Sequence, residues 1–235
     1  MLRHRENRLL TTLPADVLTL LESSLAEIAA PQGTVLFEPG DPIDHVYFPQ
    51  SGMISLLIVT RDGDLVETST VGREGALGLH SGLGERRSFT RATVQIPGRF
   101  STIAAHTFHA ITLGSNDIRE MIARYTEVLW AEAQQIAACN AIHDAGSRLC
   151  RWLLQSSDRV GSSELLLTQE FLAQMLGVRR TTVTLLAQEL QKREVIKYSR
   201  GKLMILDRRR LEDCSCECYQ VMQLANLPLN IGIEL

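Results

Sequence analysis

The sequence predicts an α+β protein in three parts: a β-rich domain over residues 1–114, one long helix over 115–144, and a winged helix-turn-helix with a short tail over 145–235. Three observations carry this. Ten of the 16 glycines and four of the seven prolines fall between residues 33 and 98, and no proline occurs from 98 to 227. Apolar residues then change to a spacing of threes and fours from residue 115 onward. Finally, residues 167–207, LTQEFLAQMLGVRRTTVTLLAQELQKREVIKYSRGKLMILD, have the layout of two helices joined at a glycine and followed by a hairpin.

In the first part, the runs TVLFE, HVYF, MISLLIVT and LVETSTV are separated by Pro39 and Gly40, Pro49 to Gly52, and Arg61 to Asp64. Asp62 and Gly63 form a strong hairpin signal, and short strands at this spacing imply a sandwich or barrel. In the second part, Ile118, Ile122, Tyr125, Leu129, Ala133, Ile136, Asn140 and His143 lie on one helical stripe. That stripe can pack on the β domain or against the same helix of a second subunit. The second arrangement is favoured here, because a two-fold dimer presents paired readers one DNA turn, about 34 Å, apart. Asp144, Ala145 and Gly146 interrupt the stripe and predict a hinge, followed by a helix containing Leu149, Trp152, Leu153 and Leu154. Trp130 and Trp152, both in apolar helical settings, are expected to be packing anchors.

In the third part, Thr168 can cap a helix with Phe171, Leu172, Met175 and Leu176 on one face and Gln169 and Glu170 in its first turn. Gly177 closes it. A second helix, from about Arg179 to Arg193, buries Val183, Leu186, Ala187 and Leu190. Its outward residues, Arg179, Arg180, Thr181, Thr182, Thr184 and Gln188, suit base and phosphate contacts: arginine can bond guanine, glutamine adenine, and threonine a phosphate or a thymine methyl. Arg200 and Lys202 sit at the tip of the following hairpin.

Charge supports a polyanion partner. Residues 145–210 carry 13 Lys and Arg against 6 Asp and Glu, whereas residues 1–144 carry 11 against 17, in a chain whose net charge is −3. Sequences typical of enzyme sites, such as HExxH, GxSxG, GxxxxGK followed by Ser or Thr, or GxGxxG after a strand, are absent, which argues against catalysis. The beginning, MLRHRENRLL, has no apolar stretch of signal-peptide length and no 18-residue apolar run follows, which predicts a cytoplasmic protein with no membrane partner and reduced cysteines. Cys214, Cys216 and Cys218 alternate too closely for a usual zinc or cluster loop and read as an inert tail, with no metal expected. Cys139 and Cys150 read as small buried apolar residues.

GTVLFEPGDPIDHVYFPQSGMISLL and LAQMLGVRRTTVTLLAQEL, in this order and at this chain length, resemble the cyclic-AMP receptor and fumarate-nitrate regulator (Crp/Fnr) family of bacterial transcription factors. The resemblance implies a cupin-like β-roll sensory domain of the cyclic-nucleotide-binding type and a homodimer formed by the long helices. It further implies winged helices that reorient on effector binding, bind promoter DNA and contact RNA polymerase. Two departures stand out. Relatives that read TGTGA carry Arg, Glu and a later Arg on the recognition helix; here Arg180 matches the first, but Thr181 and Leu185 replace the others, which predicts a different half-site. Relatives that bind cyclic nucleotides use a Gly-Glu pair and an Arg-Ser pair. Arg87 and Ser88 match the latter, but Leu77, Gly78 and Leu79 stand where the acid should be, and Glu74 lies too early unless the loop is rebuilt. This counts against a cyclic nucleotide and leaves the effector unnamed. A sensor that acts through protein contacts, with DNA reading lost, is the rival reading.

Overall fold

The computed structural model describes residues 4–225 except 64 and 85, so Asp64 of the expected hairpin turn and the end of the expected tail lie outside the described residues. A turn of 3-10 helix at Leu10–Thr12 and helix α1 (Ala15–Glu22) precede seven strands: β1 (Ala26–Ala30), β2 (Val35–Phe37), β3 (His45–Pro49), β4 (Met53–Val59), β5 (Leu65–Val71), β6 (Arg91–Ile96) and β7 (Gly98–Ala104). They form two antiparallel sheets, ordered β1-β7-β3 and β2-β6-β4-β5. Ala30, Phe37, Ile54, Val71, Val94 and Phe100 form one buried cluster, drawn from both sheets.

Helices α2 (Ala105–Leu113) and α3 (Asn116–Ile142) follow. The Ser115 hydroxyl accepts the Ile118 N–H and so caps α3. Ile118, Met121, Ile122, Tyr125 and Val128 are buried in the same core as Val46, Phe48, Ile103 and Phe108 of the β domain. The favoured pairing of the predicted stripe is therefore corrected over its first half: Ile118, Ile122 and Tyr125 pack on the chain's own β domain. Periodicity reveals a buried face but not what covers it. Trp130, expected as an anchor, is 67% exposed, on a face that continues through the exposed Ala137 and Ala141.

Asp144 accepts the N–H groups of Gly146 and Ser147 and starts α4 (Ala145–Val160), so the expected break falls where the sequence placed it. Beyond it come β8 (Glu164–Leu166), α5 (Gln169–Leu176), α6 (Arg180–Lys192), β9 (Ile196–Ser199), β10 (Lys202–Ile205), α7 (Arg208–Asp213) and α8 (Cys218–Ala225). The wing sheet has three strands, β8-β10-β9, rather than the expected hairpin alone.

The two domains share a core, in which Met53, Leu57 and Ile96 meet Leu149, Trp152, Leu153 and Met175. Two polar links cross the same junction. Trp152 Nε1 donates to Glu67 Oε1 at 2.6 Å and the Ser55 hydroxyl to Oε2 at 2.7 Å. Burial pushes the Glu67 carboxyl up to about 7, although these hydrogen bonds and the Arg159 and Arg151 charges oppose it. Arg159 of α4 donates to Glu74 at 2.9 Å, to Glu132 of α3 at 2.8 and 3.0 Å, and to the Thr70 hydroxyl. Burial alone would lower the Arg159 pKa, but Glu132 and Glu74 outweigh it, raise the pKa and hold the guanidinium charged.

Candidate nucleic-acid interface and sensory pocket

The interface is built on α5 and α6. The Thr168 hydroxyl accepts the Phe171 N–H at 3.2 Å, as expected of the cap, and Gly177, at φ +62°, lets the chain turn into α6 within three residues. Leu172, Met175, Leu176, Val183, Ala187 and Leu190 are buried together, which fixes the rotation of α6 about its axis. Arg179, Arg180, Thr181 and Gln188 are exposed as a result, with Thr182 and Thr184 half-buried.

Thr184 Oγ1 lies 2.9 Å from Gln169 Oε1 and donates to it, so this threonine also joins the two helices. The sequence did not single out Leu185 as a contact, yet it is 67% exposed on the same face as Thr181 and Gln188. An apolar side chain held in water at this position can meet a thymine methyl.

The wing turns through Arg200 at φ +50° and Gly201 at φ +78°, with Ser199 paired to Lys202. Two consecutive left-handed residues make the type I′ turn that matches strand twist, at a cost for the non-glycine Arg200 of about 1–2 kcal/mol. Arg200 is exposed at the tip, and Lys202 forms an exposed ion pair with Glu164 at 2.7 Å. Between wing and α6 lies a groove of about 450 Å³ whose walls include Thr168, Gln169, Arg180, Thr184, Gln188 and Arg200. Gln191 and Tyr198, not foreseen as site residues, also line it, and the Tyr198 hydroxyl donates to the Leu167 carbonyl at 2.9 Å.

A second cavity, of about 360 Å³, opens in the β domain. Phe37, Leu56, Val71 and Leu79 give it apolar walls, Arg86, Arg87, Ser88 and His80 contribute polar groups, and Tyr125 and Leu129 of α3 complete it. Burial and the Arg86 charge lower the His80 pKa, so its imidazole is neutral near pH 7. Arg87 donates to the Gly40 carbonyl at 2.7 Å, and the Ser88 hydroxyl to the Thr90 carbonyl at 2.7 Å. The structure thus brings Arg87 and Ser88 together in the cavity wall. Glu74 is not in that wall: its carboxylate accepts from Arg159 and from the Gly72 N–H at 2.9 Å each, which corrects its expected place beside the effector.

The cysteines expected in the tail are packed rather than free in solvent. Cys216 and Cys218 are buried against Cys139 at the end of α3, while Cys214 stands apart and accepts from Arg193 at 3.1 Å. Among the described residues, no helix is long and apolar enough to cross a membrane.

A β domain with an internal cavity walled partly by a long helix, joined to a basic winged helix, defines a sensor coupled to a DNA reader. Comparison with known proteins is more specific. A cyclic nucleotide-binding domain model matches residues 13–115, and a Crp-like helix-turn-helix domain model matches residues 147–214. The chain is 26% identical over 215 residues to the CRP-like cAMP-activated global transcriptional regulator of Mycobacterium tuberculosis, covering 83% of this chain and 91% of that protein. It is 22% identical over 186 residues to the global nitrogen regulator of Synechococcus elongatus, covering 75% and 83%. Its fold is similar to FixK2 from Bradyrhizobium japonicum, with TM-score 0.70 at 15% identity over 82% of this chain and 98% of that one. The chain belongs to the Crp/Fnr family of transcriptional regulators, whose members bind DNA and act as dimers.

Proposed function

We propose that this regulator binds a two-fold-symmetric promoter site in double-stranded DNA as a homodimer and contacts RNA polymerase there. The observation that carries the reading is the groove in which Arg180, Thr184, Gln188 and the wing residue Arg200 face one space, in the most basic part of an otherwise acidic chain. With α6 in the major groove, Arg180 contacts guanine, Gln188 and Leu185 read neighbouring bases, and Thr168, Gln169, Arg179, Thr182, Arg200 and Lys202 hold phosphates. Thr181 offers no carboxylate to cytosine N4, so the preferred half-site departs from TGTGA. The dimer forms along α3 through the exposed face of Trp130, Ala137 and Ala141.

The effector is a small, largely apolar molecule with one anionic group. Apolar walls take its body and Arg87 its charge, and no carboxylate among the described wall residues stands ready for a ribose hydroxyl.

Selection from random duplexes followed by binding titration tests the reading. Arg180→Ala should weaken the selected site by about 1–3 kcal/mol and relax one base position, and affinity should fall steeply with salt. Random duplexes that remain unbound by an intact dimer, or TGTGA recovered as the half-site, would overturn it.

A further inference from the structure

Four potential ligands meet where the long helix ends. Cys139 lies in α3 and His143, four residues on, is the residue that caps its end, whereas Cys216 lies between α7 and α8 and Cys218 is the first residue of α8. One ligand atom from each lies within 4.8 Å of all the others. The Cys139 and Cys216 sulfurs are 3.5 Å apart, and Cys218 Sγ is 3.6 Å from His143 Nδ1. All three cysteines are buried, at 0%, 6% and 1% exposure, so ionised sulfurs there need a compensating positive charge.

The separations discriminate between ions. Four ligands at tetrahedral angles around one zinc, with Zn–S about 2.3 Å and Zn–N about 2.0–2.1 Å, place sulfurs about 3.8 Å apart and sulfur about 3.6 Å from nitrogen. A [4Fe–4S] cluster gives each ligand its own iron and a [2Fe–2S] cluster shares four ligands between two irons, and either spreads the four ligand atoms wider than this. The surroundings match a metal site as well. With Nδ1 turned to the sulfurs, His143 Nε2 lies 3.2 Å from the Glu217 carboxylate, the outer partner that fixes a ligating imidazole. Gln135 Nε2 donates to Cys218 Sγ at 3.0 Å. A disulfide between Cys139 and Cys216 would leave both Cys218 and this orientation of His143 unexplained.

We infer that Cys139, His143, Cys216 and Cys218 bind one zinc ion. The ion joins the last turn of α3 to the start of α8, across the break at Asp144, and so ties the DNA-reading domain to the long helix. Cys214, whose sulfur faces Arg193, is not a ligand.

The test uses the full chain, expressed without a polyhistidine tag and supplied with zinc. Elemental analysis should find one zinc per chain, and zinc-edge X-ray absorption should fit three sulfurs at about 2.3 Å and one nitrogen at about 2.0–2.1 Å. Under a chelator challenge that leaves the native protein loaded, Cys218→Ser and His143→Ala should lose at least tenfold more zinc than Cys214→Ser. If a variant fails to fold, the ligand count of the native protein decides. A native protein without zinc, iron with sulfide in its place, a mapped Cys139–Cys216 disulfide, or equal loss from Cys214→Ser would each overturn the inference.

Discussion

Replacing Arg159 by methionine removes a buried cation that bonds both Glu74 and Glu132. Arg159 is 8% exposed, Glu132 3% and Glu74 12%, so both carboxylates would remain in a site that water reaches poorly. Removing one partner of a buried ion pair costs about 3–5 kcal/mol, because the remaining charge is left uncompensated. That is a large share of the roughly 5–15 kcal/mol that holds a domain folded. The junction should loosen first, since the three groups belong to α4, the loop after β5 and α3. Urea titration followed by tryptophan emission and circular dichroism measures the loss, with Trp152 reporting on the junction. The cause is separable from the size of the effect. A triple variant, Arg159→Met with Glu132→Leu and Glu74→Gln, removes the stranded charges and should recover most of the stability while keeping an acceptor for the Gly72 N–H. A loss below about 1 kcal/mol for the single variant, the range of exposed pairs, would refute the reasoning. So would a triple variant no more stable than the single one.

Glu67 predicts a pH dependence of opposite sign to that of a salt-bridged carboxylate. Its folded pKa is raised from 4.5 to about 7, so the folded form holds its proton longer, and stability falls as pH rises through that window and levels off above it. The swing is of the order of 3 kcal/mol, and Glu67→Gln should abolish it; urea midpoints for both proteins between about pH 5 and 8 check this, and a constant difference would sink it. Trp130→Glu places like charges along the proposed subunit seam. It should shift sedimentation from dimer to monomer with an unchanged circular dichroism spectrum, and a dimer of native affinity would rule that seam out.

The parts legible in the sequence are those set by local chemistry. Thr168 and Gly177 mark both ends of α5, Asp144 marks the break after α3, and the turn residues around Gly40, Gly52 and Gly63 separate the strands. β1, with the sequence AEIAA and mostly exposed, owes its existence to pairing with β7, and the three residues of β8 owe theirs to β10. No local propensity marks either. The partner of the α3 stripe was not readable, because Ile118 and Tyr125 would look alike under a β domain or a second helix. Long-range meetings were equally hidden: Arg159 finds Glu74 85 positions away, and Cys139 finds Cys216 77 positions away. Cys216 and Cys218 looked too close in sequence to share an ion because their partners came from another element. On the DNA face, periodicity pointed Arg180 and Gln188 outward, and Leu185 read only as the loss of an arginine, because an apolar side chain offers a base no hydrogen bond, so its own exposed methyls did not count as a contact.

Tyr125 and Leu129 belong to α3 yet form part of the cavity wall in the β domain. An occupant is therefore gauged against two bodies at once, and occupancy and signalling become separate properties. Under the proposed sensing role, a molecule long enough to span from the β domain to the rod would push on the rod, whereas a shortened congener would lodge in the β domain and leave the rod where it was. Chemical series of graded length would yield agonists and silent competitors from a single binding pose.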